Sequence, residues 1–289
     1  MEIERWEILL KVLECGSLTA AAEKTGYTLS GISRSIAALE KETGILLLHR
    51  EKKGVTPTDG CRQLLPAIRE LLFAAERLEQ TAASVRGGVC GTIRIGMAYR
   101  PYYRWIMRVT SEFREQYPEV QFRIFTGTST EFAGKIQEHE LDFGLISRRE
   151  GIASWIPFCE DPLTALVPEH HPLAKRKKVP IAEFTKEPYI DTCPGMDTDN
   201  ARFFRQEKLE PNTQFTTIDI QASYAMVDAG LGISMNNHIN SVQGYPGVCQ
   251  LQLEPEYLVE IGLAYDERLA PAAERFLEFL KERLPENEF

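Results

Sequence analysis

The sequence predicts an all-α head carrying a winged helix-turn-helix, a long linker helix, and an α/β body of two lobes with a cleft between them. Three observations carry this. Residues 1–58 hold three short amphipathic patterns and then a tight basic hairpin, residues 59–85 keep an unbroken apolar spacing of three and four, and from Gly91 extended and helical runs alternate. Alternation of that kind implies a parallel sheet with helices on its faces.

In the head, a first helix is expected over 2–14 and a second over "SLTAAAEKT". Ser17 offers a side-chain oxygen to an orphan N–H at the start of the second, and Gly26 can take the left-handed conformation that ends it. A third helix is expected over 28–42, capped by Thr28 or Ser30. Ile32, Ile36 and Leu39 recur at helical spacing, so they should face a core together with Tyr27. Ser30, Ser33, Arg34, Ala37 and Lys41 then fall on other faces. The small residues Ala20 to Ala22 let the second and third helices cross closely. A short glycine turn between two such helices is the helix-turn-helix pattern, whose second helix reads the major groove. The segment "LLLHREKKGVTPT" reads as two short strands around a basic turn, suited to lying along phosphates.

In the linker, Cys61, Leu64, Ile68, Leu71, Ala75, Leu78, Ala82 and Val85 form a narrow apolar seam. Such a seam favours pairing with a second helix, here from another copy of the chain. A helix over 59–85 would be about 40 Å long. Pro66 falls near its start, where a kink is tolerable, and "RGG" at 86–88 supplies an end and a hinge.

In the body, "TIRIGMA", "VQFRIFTG" and "LDFGLIS" are expected strands, separated by helices over "PYYRWIMRVTSEFREQY" and "STEFAGKIQEH". A second run begins around "CEDPLTALVPEHHPLA", with strands near 189–192, 214–218 and 232–236 and a helix starting at Ile220. The chain closes with the strand "VEIGLAY" and a helix placing Phe276, Leu277, Leu280 and Leu284 on one side. The expected division is a head over 1–58, a dimerisation helix and hinge over 59–88, and a body over 89–289. Its first lobe covers about 91–161 and 264–289, its second about 162–263.

At 289 residues, 43% hydrophobic and 26% charged, the composition is that of an ordinary globular protein. No apolar run reaches the length of a membrane span, and the amphipathic, acidic start does not read as a leader, so the expectation is cytoplasmic with no membrane partner. The first 90 residues are charge-balanced, so the net charge of -9 sits wholly in the remainder. An acidic body does not prevent its head from meeting phosphates, because screening acts over about 10 Å. Cys15, Cys61, Cys90, Cys159, Cys193 and Cys249 are scattered, with no C-x-x-C pair and no histidine at ligand spacing, so neither a metal nor a cofactor is expected. G-x-S-x-G, G-x-x-x-x-G-K and H-E-x-x-H are absent, and the five histidines form no triad. The chain is therefore not expected to be an enzyme.

Ser17, Ala21, Ala22, Ser33, Arg34, Ile36, Leu39, Glu40, Gly44, Leu47, Arg50, Thr58 and Gly60 in the first 60 residues, and "GTIRIG", "YPEVQFRI", "ELDFGLI", "HPLA" and "VDAGLGIS" further on, are in step with a known pattern. Through them the sequence resembles the LysR-type transcriptional regulators. The resemblance implies a periplasmic-binding-protein-like effector domain, a dimer through 59–85 that can pair into a tetramer, and double-stranded operator DNA as partner. This chain departs where the family commonly has Gln-Pro at the start of the recognition helix and carries Leu29-Ser30 instead. An amide that could pair with adenine is thereby missing, so its operator should differ. Leu48 and His49 replace the usual wing Phe and acidic residue.

The expected DNA contacts are Ser30, Ser33 and Arg34 from the helix and Arg50, Lys52 and Lys53 from the wing. Arg34 leads, since a guanidinium can bridge guanine O6 and N7 or clamp a phosphate; Glu40 and Glu42 lie at the wrong spacing to pair with it. Glu40 is expected to hold the head together. Ligands in α/β folds sit beyond the carboxyl ends of strands. Those ends give Tyr99, Arg100 and Tyr102, then Thr128, Ser129 and Thr130, then Ser147, and from the second lobe Thr192 and Asn236. In the family, hydroxyls at the first two of these places hold the effector. Arg100 beside a helix start points to an anion, a small carboxylate. A second reading makes the trigger a thiol, Cys193 pairing with Cys159 or Cys249. A third makes the body a small-molecule-binding protein or enzyme with no regulatory role.

Overall fold

The structure is a computed structural model that describes residues 2–51 and 54–285. Two compact units divide the chain. One runs to Gly91 and takes in Glu138–Glu140 and Ala270–Ala272; the other takes Thr92–Gln137, Leu141–Leu269 and the segment from Ala273 on.

The first unit begins with α1 (Ile3–Cys15), α2 (Leu18–Thr25) and α3 (Leu29–Thr43). Ser17 Oγ accepts the Ala20 N–H at 3.3 Å, and Gly26, at φ 75°, closes α2 by donating to the Ala22 carbonyl. Of the two expected caps for α3, Thr28 serves, accepting the Gly31 N–H at 3.1 Å. Ile32, Ile36 and Leu39 are fully buried against Leu9, Val12 and Ala21. Tyr27 is not part of that core. It is 42% exposed and its hydroxyl donates to Glu4 on α1, because the turn at Gly26 carries it onto the surface.

A hairpin of β1 (Leu48–Glu51) and β2 (Gly54–Pro57) follows, pairing Leu48 with Pro57 and Glu51 with Gly54. Val55 N–H donates to the Gly16 carbonyl at 2.9 Å, and a Cβ on Gly54 would collide with that carbonyl, which fixes glycine there. As expected of it, Glu40 ties the head together, accepting the Leu47 N–H at 2.9 Å. Lys52 and Lys53, the expected wing contacts, lie outside the described residues.

The linker helix α4 spans Asp59–Val85 and runs through Pro66 unbroken. Thr58 Oγ starts it, accepting the Cys61 N–H at 3.0 Å while donating to the Leu46 carbonyl at 2.6 Å. Thr58→Ala removes both bonds at a buried site, and an N-cap loss of this kind costs about 1–2 kcal/mol. Urea unfolding of the two proteins should show the drop; superimposable curves would contradict the capping role. The apolar seam has two fates. Cys61 and Ile68 are buried and Leu64 and Leu71 pack on the head, whereas Leu78 is 71% and Val85 85% exposed.

The second unit places β3 (Gly91–Met97), β4 (Val120–Thr126) and β5 (Phe143–Ser147) side by side with α5 (Tyr103–Gln116) and α6 (Ser129–Gln137) between them in sequence. β3 and β5 are parallel, in keeping with the alternation. The strand β6 (Ser154–Pro168) is 15 residues long; its first part pairs antiparallel with β12 (Leu258–Tyr265), its last part with β10 (Ser234–Asn237) and β11 (Val248–Glu254). β7 (Lys178–Pro180) completes that sheet at the far edge of β11. Thus β6 belongs to both lobes and makes the crossing between them.

A separate parallel pair, β8 (Tyr189–Thr192) and β9 (Thr213–Thr217), is joined through α7 (Asp199–Glu207), with α8 (Ile220–Asp228) following. The last helix, α9 (Pro271–Lys281), seats Phe276 among Phe113, Phe122 and Phe143 with ring centroids 5.1, 5.1 and 5.6 Å away. Leu277 and Leu280 share that buried side. Leu284 does not, because α9 ends at Lys281 and Leu284 is partly exposed beyond it.

Candidate functional site

In the head, the packing of Ile32 and Ile36 inward forces the opposite side of α3 out. Ser30 and Arg34 are exposed and Ser33 is half-buried. Arg34 Nε donates to the Ser30 carbonyl at 3.3 Å, and among the described residues no carboxylate pairs with it. Arg50 on β1 reaches back to the same face, its Nη1 3.4 Å from Ser33 Oγ. Helix and hairpin therefore present two guanidinium groups and two hydroxyls on adjoining surfaces. That is a surface for phosphates and base edges.

In the body, a cleft of ≈ 710 Å³ opens where the carboxyl ends of β3, β4 and β8 meet the first turns of α7 and α8. Tyr99, Arg100, Thr128, Ser129 and Thr192, all expected effector contacts, line it, as does Asn236. Thr192 lines the cleft, and its Oγ is buried with no hydrogen-bond partner among the described residues. Arg100 is exposed at the rim, its Nη2 3.8 Å from Asp219 Oδ1.

Three expected contacts are placed otherwise. Tyr102 sits in a short helical turn that points it away from the cleft, into a packing of Trp105 and Phe158, with its hydroxyl 3.3 Å from Cys159 Sγ. Ser147 and Thr130 stand behind the cleft wall, both held by Arg149: Nη1 donates to Ser147 Oγ at 2.7 Å and Nε to Thr130 Oγ at 2.8 Å. The hydroxyl of Thr130 also lies 3.0 Å from Asp197 Oδ2.

Arg149 and Asp199 were not singled out in the sequence, and they form the centre of the wall. Arg149 Nη2 lies 3.0 Å from Asp199 Oδ1, with the two side chains 4% and 13% exposed. Tyr99 donates its hydroxyl to Asp199 Oδ2 at 2.9 Å, and Ser147 Oγ lies 2.9 Å from the same oxygen. Burial, then the Asp199 charge, pushes the Tyr99 hydroxyl well above its ordinary range, so it stays a donor. The sequence carried only a weak signal for Arg149, a cation two residues past the carboxyl end of β5; in the structure Arg149 turns to Ser147 while Arg148 turns outward to Glu260. For Asp199 the signal was Thr198 before an acidic first turn, since Thr198 Oγ accepts the Ala201 N–H at 3.2 Å and caps α7. Beside it, burial pushes Asp197 up, but hydrogen bonds from Arg202, Arg205 and Thr130 outweigh this and hold its carboxyl below the usual range.

A helix-turn-helix head with an outward-facing arginine, followed by a two-lobed body with a polar-walled cleft, defines the class: a DNA-binding protein with a ligand-binding domain. Comparison with known proteins agrees. Residues 86–285 match the LysR substrate binding domain, and residues 3–62 match the bacterial regulatory helix-turn-helix protein of the lysR family. A regulator of Bacillus subtilis (strain 168), "Uncharacterized HTH-type transcriptional regulator YvbU", is 28% identical over 288 residues, covering 98% of each chain. Among solved structures, full-length OxyR C199D from Pseudomonas aeruginosa has a TM-score of 0.69 at 18% identity, over 98% of this chain and 94% of that one. Full-length CbnR in complex with its target DNA has a TM-score of 0.61 at 20% identity, over 98% and 100%.

The chain belongs to the LysR family of transcriptional regulators. It is a DNA-binding regulator with a C-terminal effector-binding domain, not an enzyme. Among the described residues no helix is long and apolar enough to cross a membrane.

Proposed function

We propose that the protein is a cytoplasmic, ligand-responsive regulator whose α3 enters the major groove of operator DNA and whose cleft takes a small organic anion. In this reading residues 1–58 form the DNA-binding domain, 59–88 the dimerisation helix and hinge, and 89–289 the effector domain. Ser30, Ser33, Arg34 and Arg50 contact DNA. Lys52 and Lys53, which follow Glu51 in sequence, are proposed as further DNA contacts.

The observation that supports the effector reading is a cleft large enough for a metabolite at the carboxyl ends of the strands, with Arg100, Thr128, Ser129 and Asn236 among its lining. Arg100 favours a carboxylate, since it sits on the rim with exposed donors and a single carboxylate 3.8 Å away. A thermal-shift panel of small organic anions on the full chain tests this. At least one should raise Tm, by mass action worth about 2.7 kcal/mol at a hundredfold excess over Kd. A panel in which no anion moves Tm would overturn it.

A thiol trigger finds less support. Burial raises the pKa of the Cys159 and Cys193 thiols, Asp161 or Asp191 adding to it, so neither is poised as a thiolate.

For assembly, Leu78, Ala82 and Val85 remain exposed on α4 and fit the same seam of a second copy. Leu78→Glu should shift the chain from dimer toward monomer in light scattering, with its helicity retained; an unchanged mass would count against pairing through α4.

A further inference from the structure

The cleft wall is not a cationic cradle. Its buried cation, Arg149, is engaged on three sides: Nε by Thr130, Nη1 by Ser147 and the Arg148 carbonyl, Nη2 by Asp199. Arg149 and its counter-ion Asp199 both line the cavity, and of the two it is Asp199 that keeps hydrogen-bonding capacity to spare. Asp199 lines the cleft and accepts Tyr99, Ser147 and Arg149, three donors where a carboxylate offers about four acceptor sites. One site is left for a donor from the ligand.

Charge then selects the ligand. Arg149, 3.0 Å from Asp199, offsets its charge, so this part of the wall offers a plain carboxylate no net cation, and the carboxylate cannot use the acceptor site that Asp199 leaves open. A ligand carrying an ammonium as well as a carboxylate meets both fixed groups, its ammonium on Asp199 and its carboxylate on Arg100 at the rim. The remainder of the cavity asks for carbon. Met97 and Met235 are buried in its wall, and Met196 and Ile218 are large apolar side chains left 45% and 84% exposed beside it. Exposed apolar groups on a cavity rim gain by being covered, and methionine adapts to different shapes.

We infer that the effector is a zwitterion, an α-amino acid with an apolar side chain, with Asp199 as its ammonium acceptor and Arg100 as its carboxylate partner. This rests on the reading of the cleft as an effector site with Arg100 as a carboxylate partner, and it adds an ammonium to that carboxylate.

Calorimetric titration of the full chain at pH 7 tests it with matched sets. For leucine, methionine and phenylalanine, the amino acid is compared with its deaminated acid and its decarboxylated amine. In at least one set the amino acid should bind, with the acid and the amine at least about tenfold weaker, the loss expected for one charge-assisted hydrogen bond. A deaminated acid that binds as tightly as its amino acid overturns the inference while the organic-anion reading stands. If no amino acid binds, the inference falls, and the anion panel decides the broader reading separately. Asp199→Asn keeps the shape and removes the charge, so it should reverse the preference in favour of the acid; an unchanged preference removes Asp199 from the role assigned to it. Should that variant fail to fold, the exposed change Arg100→Met should weaken amino acid and acid alike by about tenfold, and undiminished binding overturns its part.

Discussion

Arg34→Ala erases much of the discrimination for the operator while the fold and the proposed dimer persist. The side chain is exposed on α3, with no carboxylate holding it among the described residues, so its removal leaves the packing of Ile32, Ile36 and Leu39 untouched. A bidentate arginine contact to guanine contributes about 1–3 kcal/mol of discrimination, and a dimer loses it twice. The gap between specific and non-specific affinity is itself about 4–10 kcal/mol. Losing two such contacts therefore erases much of it. Anisotropy titrations of the wild type and the variant against selected and scrambled fragments read the effect; an unchanged ratio between the two fragments would rule out Arg34 as a base-reading residue.

Arg149→Met destabilises the body by about 3–5 kcal/mol, because it leaves the Asp199 carboxylate in place without its cation. Tyr99 and Ser147 still donate to that carboxylate, but neither carries charge. The double change Arg149→Met with Asp199→Asn should recover much of the loss, since removing both members of a buried pair costs far less than removing one. Urea unfolding followed by the near-ultraviolet signal of the body gives the comparison. A single variant within about 1 kcal/mol of wild type would show the pair to be peripheral to stability.

The head was legible because its signals are local. Ser17 and Gly26 specify the ends of α2, and the spacing of Ile32, Ile36 and Leu39 specifies the buried side of α3. Tyr27 was misread because an aromatic at a turn looks apolar in sequence, while the turn decides which way it faces. The seam of α4 was visible, but sequence spacing does not say which part packs on the same head and which stays open. In the body the alternation of strand and helix was readable, whereas β6 was not, since Pro157 and Pro162 interrupt what looks like a strand and its three partners, β10, β11 and β12, lie roughly 70 to 110 residues further along the chain. β7 and β11 were hidden likewise, being specified by pairing rather than by their own pattern.

The cleft was legible as a location and not as a chemistry. Of the residues expected at strand ends, Tyr99, Arg100, Thr128, Ser129 and Thr192 line it. Which hydroxyls face the cavity and which serve Arg149 depends on side-chain direction at the strand ends, and there the alternation that would settle it has just run out. The short, polar α7 escaped notice, so Asp199 did too.

In the proposed function one chain couples operator binding through α3 to a ligand in the cleft. The most direct measurement is selection of genomic DNA fragments by the full-length protein, followed by titration of the recovered fragment with and without the ligand that raises its Tm. The prediction is a shared sequence in the recovered fragments and a Kd that changes about 5- to 150-fold on saturation with ligand. Fragments with no common sequence, or identical titration curves in the two conditions, would contradict it.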